Sequence, residues 1–477
     1  MRAVIIGNGV AGMEAALAIR QREPDWEISI VSEESDHPFS RTALMYVFCG
    51  QLSHRDIETY ERDLYERLGF ARVRARATGV DVDNRQVQLA GGLEPLPWDR
   101  LLIACGSRPR PGPWPNSGLD GIGHFVTMQD LEWLEREVHG GPGEGRPPRP
   151  EHHLEATAGD SPYRPRPAAA ERRGRRARSA AVIGGGLVGI EAAEILAHAG
   201  VDTHFLIMED WYWPLAIDGR EAAWIARVME ENGLHVHLNT VVDEFVGDAA
   251  GAVTGMRTRV AGPGHRPNAF PDETWAAGPE IECDIAVVTI GVMPNTGWLD
   301  GSRIELDERS RGIVVDAGLG ASAPGVYAAG DCAAVAWFDG SRRPEQLWYT
   351  SRAQGRIAGA AMLGDTVVYE RGTFYNSAKF MDVEYTTAGL VNFNLEGEKN
   401  WFHEETGPVR STTRIVLQND RVVGFNMLGR RWDHTFLVRW IEERRDLSYV
   451  LSHLREALYD PELTPPPVFD TARATVT

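Results

Sequence analysis

The sequence has 477 residues, of which 43% are hydrophobic and 25% charged, with a net charge of -19 at pH 7 and a mean hydropathy of -0.29. A chain of this length exceeds one compact core and implies several domains. Its acidity opposes non-specific attraction to nucleic acid, and the lack of any apolar run approaching ~18 residues excludes a membrane-spanning helix.

The N-terminus runs directly into a strand and a glycine turn without a signal-peptide pattern, so a cytoplasmic location is expected. In "RAVIIGNGVAGMEAALAI", Arg2 to Ile19, Gly7, Gly9 and Gly12 fit G-x-G-x-x-G between a strand and a helix. The first glycine permits the tight turn, the second lets backbone approach a pyrophosphate, and the third lets helix and strand pack closely. Glu33 follows the next apolar strand, where a carboxylate can accept ribose hydroxyls. Next comes "SRTALMYVFCGQL", Ser40 to Leu52, with Cys49 near a helix end among Val47, Phe48 and Gly50, expected to be an ordinary buried thiol.

The segment 140–178 is rich in Pro, Gly, Ala and Arg and almost free of large aliphatic residues, which predicts a disordered or loose insertion. Beyond it, "SAAVIGGGLVGIEAAEIL" repeats the first motif with Gly184, Gly186 and Gly189, and Glu209 follows the strand "THFLIM". Two such copies, each with strand, helix and acidic residue, predict two bound dinucleotides. After Met362 the pattern becomes alternating strands, with Asn419-Asp420 as a turn, and then a helix "HTFLVRWIEERR", which predicts an α+β C-terminal domain. Cys49, Cys105, Cys283 and Cys332 are widely spaced, which argues against a disulfide framework and against any metal or iron–sulfur site.

The two glycine motifs, with "WDRLLIACGSRPR", "TIGVMPNT" and "GVYAAGDCA", resemble the pyridine nucleotide-disulfide oxidoreductases, a two-dinucleotide flavoprotein family. The segment "FSRTAL" is similar to Y-N-R-P-P-L of its ferredoxin-reductase and nitrite-reductase branch, and the redox-active C-x-x-x-x-C of the disulfide reductases is missing. The resemblance implies an α/β protein with two Rossmann-like domains in the glutathione-reductase-like arrangement. An FAD-binding domain would span residues 1–122 and 296–365, an NAD(P)H-binding domain residues 123–295, and a C-terminal α+β interface domain residues 366–477. FAD and either NADH or NADPH are the implied cofactors, with NADH favoured because Glu209 has no Arg after it to meet a 2′-phosphate.

By the same resemblance, Asp331 with Gly330 would hold the ribityl and pyrophosphate part of FAD. A helix within Pro344 to Met362 would aim its N-terminus at the flavin pyrimidine. Arg41 matches the branch's arginine, Glu191 would lie near the nicotinamide, and Gly106 and Gly291 belong to the conserved turns. Cys105 stands where the family usually has Thr, a small-for-small change. With no sulfur pair in the motif, the implied acceptor is an electron-transfer protein such as a ferredoxin or rubredoxin, and a homodimer through the C-terminal domain is expected. Two other readings stay open: an oxidase, peroxidase or sulfur-compound reductase using Cys49, and an NADH-responsive flavin-containing binding protein.

Overall fold

The computed structural model describes residues 1–140, 176–262, 274–337, 340–405, 409–468 and 474–476. The insertion expected at 140–178 lies outside the described residues, apart from its two ends. The chain forms two compact units: Met1–Pro113 with Asp120–Ala177 and Thr289–Glu370, and Trp114–Leu119 with Arg178–Val288 and Arg371–Thr477. Residues 371–477 thus share a unit with 178–288, a coarser division than the three domains expected from the sequence.

In the first unit, strand Arg2–Ile6 lies at the centre of a parallel sheet in the order Val326–Ala328, Arg100–Ile103, Arg2–Ile6, Glu27–Ser32, Phe70–Arg74. Both faces are covered, which is why these strands read as near-continuous apolar runs: Val4, Ile5, Leu101, Leu102 and Ile103 are all 2% exposed or less. Ile6 is in register with Val31 and with Ile103, and Ile103 with Ala328. The turns that follow these strands therefore emerge together at one sheet edge, the carboxyl edge where α/β sheets bind ligands.

Helix Val10–Arg22 packs along helix Trp348–Met362 through small residues. A Cβ on Gly355 would lie 2.3 Å from the Ala11 carbonyl oxygen, and one on Gly359 would lie 2.9 Å from that of Ala15. Buried Glu14 ties the pair together, accepting hydrogen bonds from Arg352 and Arg356 at 2.7 Å each.

In the second unit, parallel strands pair in the order Leu234–His237, Asp202–Leu206, Ser179–Ile183, Ile285–Val288. Helices Leu187–His198 and Gly219–Glu231 follow the strands Ser179–Ile183 and Asp202–Leu206, and an antiparallel meander spans Thr240–Gly247, Val253–Val260 and Ala276–Glu282. A second sheet has the strand order Tyr375–Phe380, Val383–Gly389, Arg421–Leu428, Ser411–Gln418, Glu398–Glu405, Thr475–Val476.

The Asn419-Asp420 turn has φ values of 52° and 58°, the paired left-handed conformation of a tight hairpin. Strand Ser411–Gln418 is buried on both faces. Ile415 and Leu417 join Phe425, Trp432 and Trp440 in an apolar core, while Arg414 faces helix Gly219–Glu231. There Arg414 Nη2 donates to Glu221 Oε2 at 3.0 Å, with both side chains 3% exposed or less. Asn426 Nδ2 also donates to that carboxylate, and burial pushes the Glu221 carboxyl up to about 7 against the pull of Arg414.

Candidate active site

The first glycine turn is shaped by backbone contact. Gly7 has φ +110°, and a Cβ there would fall 2.1 Å from the Ala104 carbonyl oxygen; one on Gly12 would fall 2.0 Å from that of Gly7. Gly9 differs from both: it caps helix Val10–Arg22 in an extended conformation, and a Cβ on it would meet no atom within 4 Å. That open space above uncapped helical N–H groups suits a pyrophosphate.

Glu33 stands half-buried at the end of strand Glu27–Ser32. Buried Asn8, between the glycines, donates to the Ser35 carbonyl at 2.9 Å and so fixes the loop that follows Glu33.

Asp331 is enclosed across the same sheet edge. Ser107 donates to its Oδ2 at 2.8 Å and Ser351 to its Oδ1 at 3.2 Å. Burial pushes its carboxyl up, while Ser107, Arg41 and Ser351 pull it down. Ser351 lies in the first turn of helix Trp348–Met362, so that N-terminus sits at the Asp331 end of the cradle. Gly330 has φ +79° and donates its N–H to Gln354 Oε1 at 2.8 Å, while Gly106 has φ +66° and accepts the Asn295 N–H at 3.0 Å. Gly291, with φ +95°, accepts the Arg110 N–H in the neighbouring turn.

In the second unit the pattern recurs. Gly184 has φ +119° and donates to the Leu206 carbonyl at 3.0 Å; Gly186 caps helix Leu187–His198, and a Cβ on it would meet nothing within 4 Å. Gly189 is buried on that helix. Ile207 is buried against Gly185, whose added Cβ would lie 2.7 Å from Ile207 Cγ2, so the half-buried acidic group after this strand is Glu209. Burial pushes the Glu209 carboxyl up.

Burial likewise pushes Glu191 up to about 7, with the charge of Glu194 adding to the shift. Glu194 accepts the Met381 N–H at 2.8 Å. The Tyr212 hydroxyl is buried without a hydrogen-bond partner among the described residues and feels the Glu191 charge. Of the C-terminal aromatics, Phe380, Tyr385, Trp401 and Trp432 are core residues, each 4% exposed or less.

The cysteines depart from expectation. Cys49 is exposed, not buried, because helix Leu44–Phe48 ends after little more than one turn and the chain reverses at Gly50, φ +72°. Cys105 and Cys332, remote in sequence, are brought side by side. The neighbouring Cys332 thiol and burial push the Cys105 thiol well up; Cys105 donates to the Asn295 carbonyl and Cys332 to that of Ile103, each at 3.3 Å. Sequence reasoning also missed Asn8, Glu34, Ser107, Ser351 and Tyr212. Of these only Glu34, in the pair Glu33-Glu34, carried a local sign.

The family profile described as pyridine nucleotide-disulphide oxidoreductase matches residues 1–355. The NAD(P)H nitrite reductase of Bacillus subtilis (strain 168) is 26% identical over 93% of this chain and 48% of its own length, so the chain spans about half of that relative. The NADH-dependent phenylglyoxylate dehydrogenase subunit epsilon of Aromatoleum evansii is 26% identical over 93% of this chain and 92% of its own. The ferredoxin reductase component of chlorobenzene dioxygenase from Cupriavidus sp. (strain PS12) is 28% identical over 76% and 74%.

Among solved structures, the ferredoxin reductase for the CYP199A2 system of Rhodopseudomonas palustris shares the fold with a TM-score of 0.74, at 19% identity over 95% of this chain and 99% of that one. Because the profile runs through both nucleotide-binding motifs, the chain belongs to the pyridine nucleotide-disulphide oxidoreductase family and is an FAD-dependent NAD(P)H oxidoreductase.

Proposed function

We propose that this chain carries electrons from NADH to a one-electron redox protein, such as a ferredoxin, a rubredoxin or another iron–sulfur protein. The observation that carries the reading is the placement of the cysteines. The sequence has no C-x-x-x-x-C, buried Cys332 stands beside a half-buried Cys105 whose thiol is raised, and Cys49 sits exposed at a helix end. The raised Cys105 thiol is the opposite of the activated thiolate that sulfur chemistry beside a flavin requires. Relatives named as ferredoxin reductases support the same direction.

Bound FAD supplies the hydride acceptor and the release of electrons one at a time. The chain's own groups do the rest. Gly7, Gly9 and Gly12 admit the FAD pyrophosphate to the helix N-terminus, and Glu33 accepts from the ribose. Asp331 anchors the ribityl and pyrophosphate part beside Gly330, Gly106 and Cys105, with Arg41 offering a cation nearby. Helix Trp348–Met362 directs its N-terminal N–H groups toward developing negative charge on the flavin.

On the nicotinamide side, Gly184, Gly186 and Gly189 cradle the second pyrophosphate. Glu209, followed by Asp210, accepts the ribose hydroxyls and repels a 2′-phosphate, which favours NADH. Glu191 holds a proton near neutral pH beside the nicotinamide. The exposed apolar side chains Tyr459, Leu463 and Val468 suit a homodimer contact through the C-terminal region, which molar mass from light scattering tests.

An anaerobic NADH titration combined with cytochrome reduction tests the main reading. Two electrons to full reduction, and fast cytochrome reduction only with an added iron–sulfur protein, support it. Equal turnover with oxygen alone would overturn it. So would uptake of four electrons with a long-wavelength band lost in Cys49→Ser, which would give the role to Cys49.

A further inference from the structure

Arg41 is held by a carboxylate and a backbone carbonyl. Its Nη1 and Nη2 donate to Glu34 Oε1 and Oε2 at 2.8 and 2.6 Å, and Nη1 also donates to the Val126 carbonyl at 2.7 Å. A two-pronged guanidinium–carboxylate pair of this kind fixes the guanidinium plane as well as its position. The Glu34 side chain is only 7% exposed. Its Oε1 also accepts the N–H of Met128 at 3.2 Å, the first residue of helix Met128–His139, and its carbonyl accepts from Gln129 Nε2 at 3.0 Å.

The carboxylate is therefore fixed at the positive end of a 12-residue helix. Arg41 keeps 43% of its side chain exposed, and its charge lowers the half-buried Asp331 carboxyl.

We propose that Glu34 is a positioning residue, which holds Arg41 so that the guanidinium charge is presented to the phosphate-bearing cofactor at the Asp331 end of the cradle. This rests on the assignment of Arg41 to FAD. Glu34 itself touches the guanidinium and the helix N-terminus and acts on the cofactor only through Arg41. Were it a helix cap alone, an uncharged oxygen in the same place would serve as well.

The test uses the full chain stripped of FAD and titrated with FAD, following flavin fluorescence, the bound flavin spectrum and the thermal midpoint. Glu34→Gln keeps an oxygen for the Met128 N–H and loses the charged fork; Glu34→Asp keeps the charge on a shorter arm. FAD affinity should fall about tenfold in Glu34→Gln, the scale of one hydrogen bond to a charged group. It should fall less in Glu34→Asp. In an Arg41→Met background, Glu34→Gln should change FAD affinity no further.

Parent-like FAD affinity and spectrum in Glu34→Gln, whatever its thermal midpoint, would overturn the proposal. So would additive effects of Glu34→Gln and Arg41→Met. Arg41→Lys, which keeps the charge but cannot make the fork, serves if Glu34→Gln does not fold: weakened FAD binding supports the proposal and parent-like binding overturns it. Failure of the electron-transfer reading would show in the acceptor assay of the parent and leave these comparisons intact.

Discussion

Replacing Gly9 by alanine should separate folding from cofactor binding. Gly9 has φ -70° and ψ -178°, extended backbone that any residue adopts, and its added methyl would touch no protein atom within 4 Å. The apo chain should therefore change stability by no more than about 1 kcal/mol, reduced freedom in the unfolded state offsetting the poorer helix cap that alanine makes. The methyl does enter the space above the turn where a pyrophosphate must approach the backbone. Overfilling a close-packed contact typically costs about 1–3 kcal/mol. FAD affinity should fall by roughly 5- to 150-fold on that scale.

Gly12→Ala provides the contrast, because its methyl would lie 2.0 Å from the Gly7 carbonyl oxygen and 3.1 Å from Ile5 Cγ2, and backbone cannot step aside. That variant should lose the fold itself. Urea unfolding of the apo chains and FAD titration by fluorescence measure both quantities. Parent-like FAD affinity in Gly9→Ala, or destabilisation matching that of Gly12→Ala, would refute the placement of the pyrophosphate. Gly186→Ala is the matching change in the second cradle, and it should weaken NADH while leaving FAD binding intact.

Three further outcomes follow from buried charge and sulfur. Burial raises the Glu191 carboxyl from 4.5 to about 7, so between those pH values the folded chain holds a proton that the unfolded chain has released, and stability falls as pH rises through that window. Glu191→Gln should flatten this part of the profile, stabilising at pH 8 and changing little at pH 4, as read from thermal midpoints. Arg414→Met strands the buried Glu221 carboxylate and should cost about 3–5 kcal/mol by urea unfolding, much of it recovered in Arg414→Met/Glu221→Leu. A thiol reagent should label Cys49 quickly in the native chain, half-buried Cys105 more slowly, and Cys332 and Cys283 only after denaturation, and Cys49→Ser should abolish the fast phase without changing NADH turnover.

Much of the fold was legible because its determinants are local. The apolar runs at Arg2–Ile6 and Ser179–Ile183 announce strands covered on both faces, and the glycine spacing after each marks where backbone must turn tightly and touch other backbone. The Asn419-Asp420 turn needs only two residues able to take left-handed φ. Helix Gly219–Glu231 starts where Asp218 accepts the N–H groups of Arg220 and Glu221 at 2.9 Å each and caps it. Cys49 was misjudged as buried because apolar neighbours say nothing about where a short helix stops. Its exposure is set by the reversal at Gly50 immediately after that helix ends.

The parts of the site that stayed hidden are those decided by sheet order. Cys105 and Cys332 meet because Ile103 and Ala328 are paired across adjacent parallel strands, and no spacing within either segment encodes that pairing. Glu34 reaches Met128 across 94 residues of chain for a similar reason: the loop after Glu27–Ser32 and the start of helix Met128–His139 come together only once the unit is assembled. A glycine motif states what the backbone must do at that place, and so it survives reading in one dimension. A buried carboxylate states only that some cation must meet it, and the identity of that cation belongs to the topology. Arg41 was found by its motif, and the group that aims it required the fold.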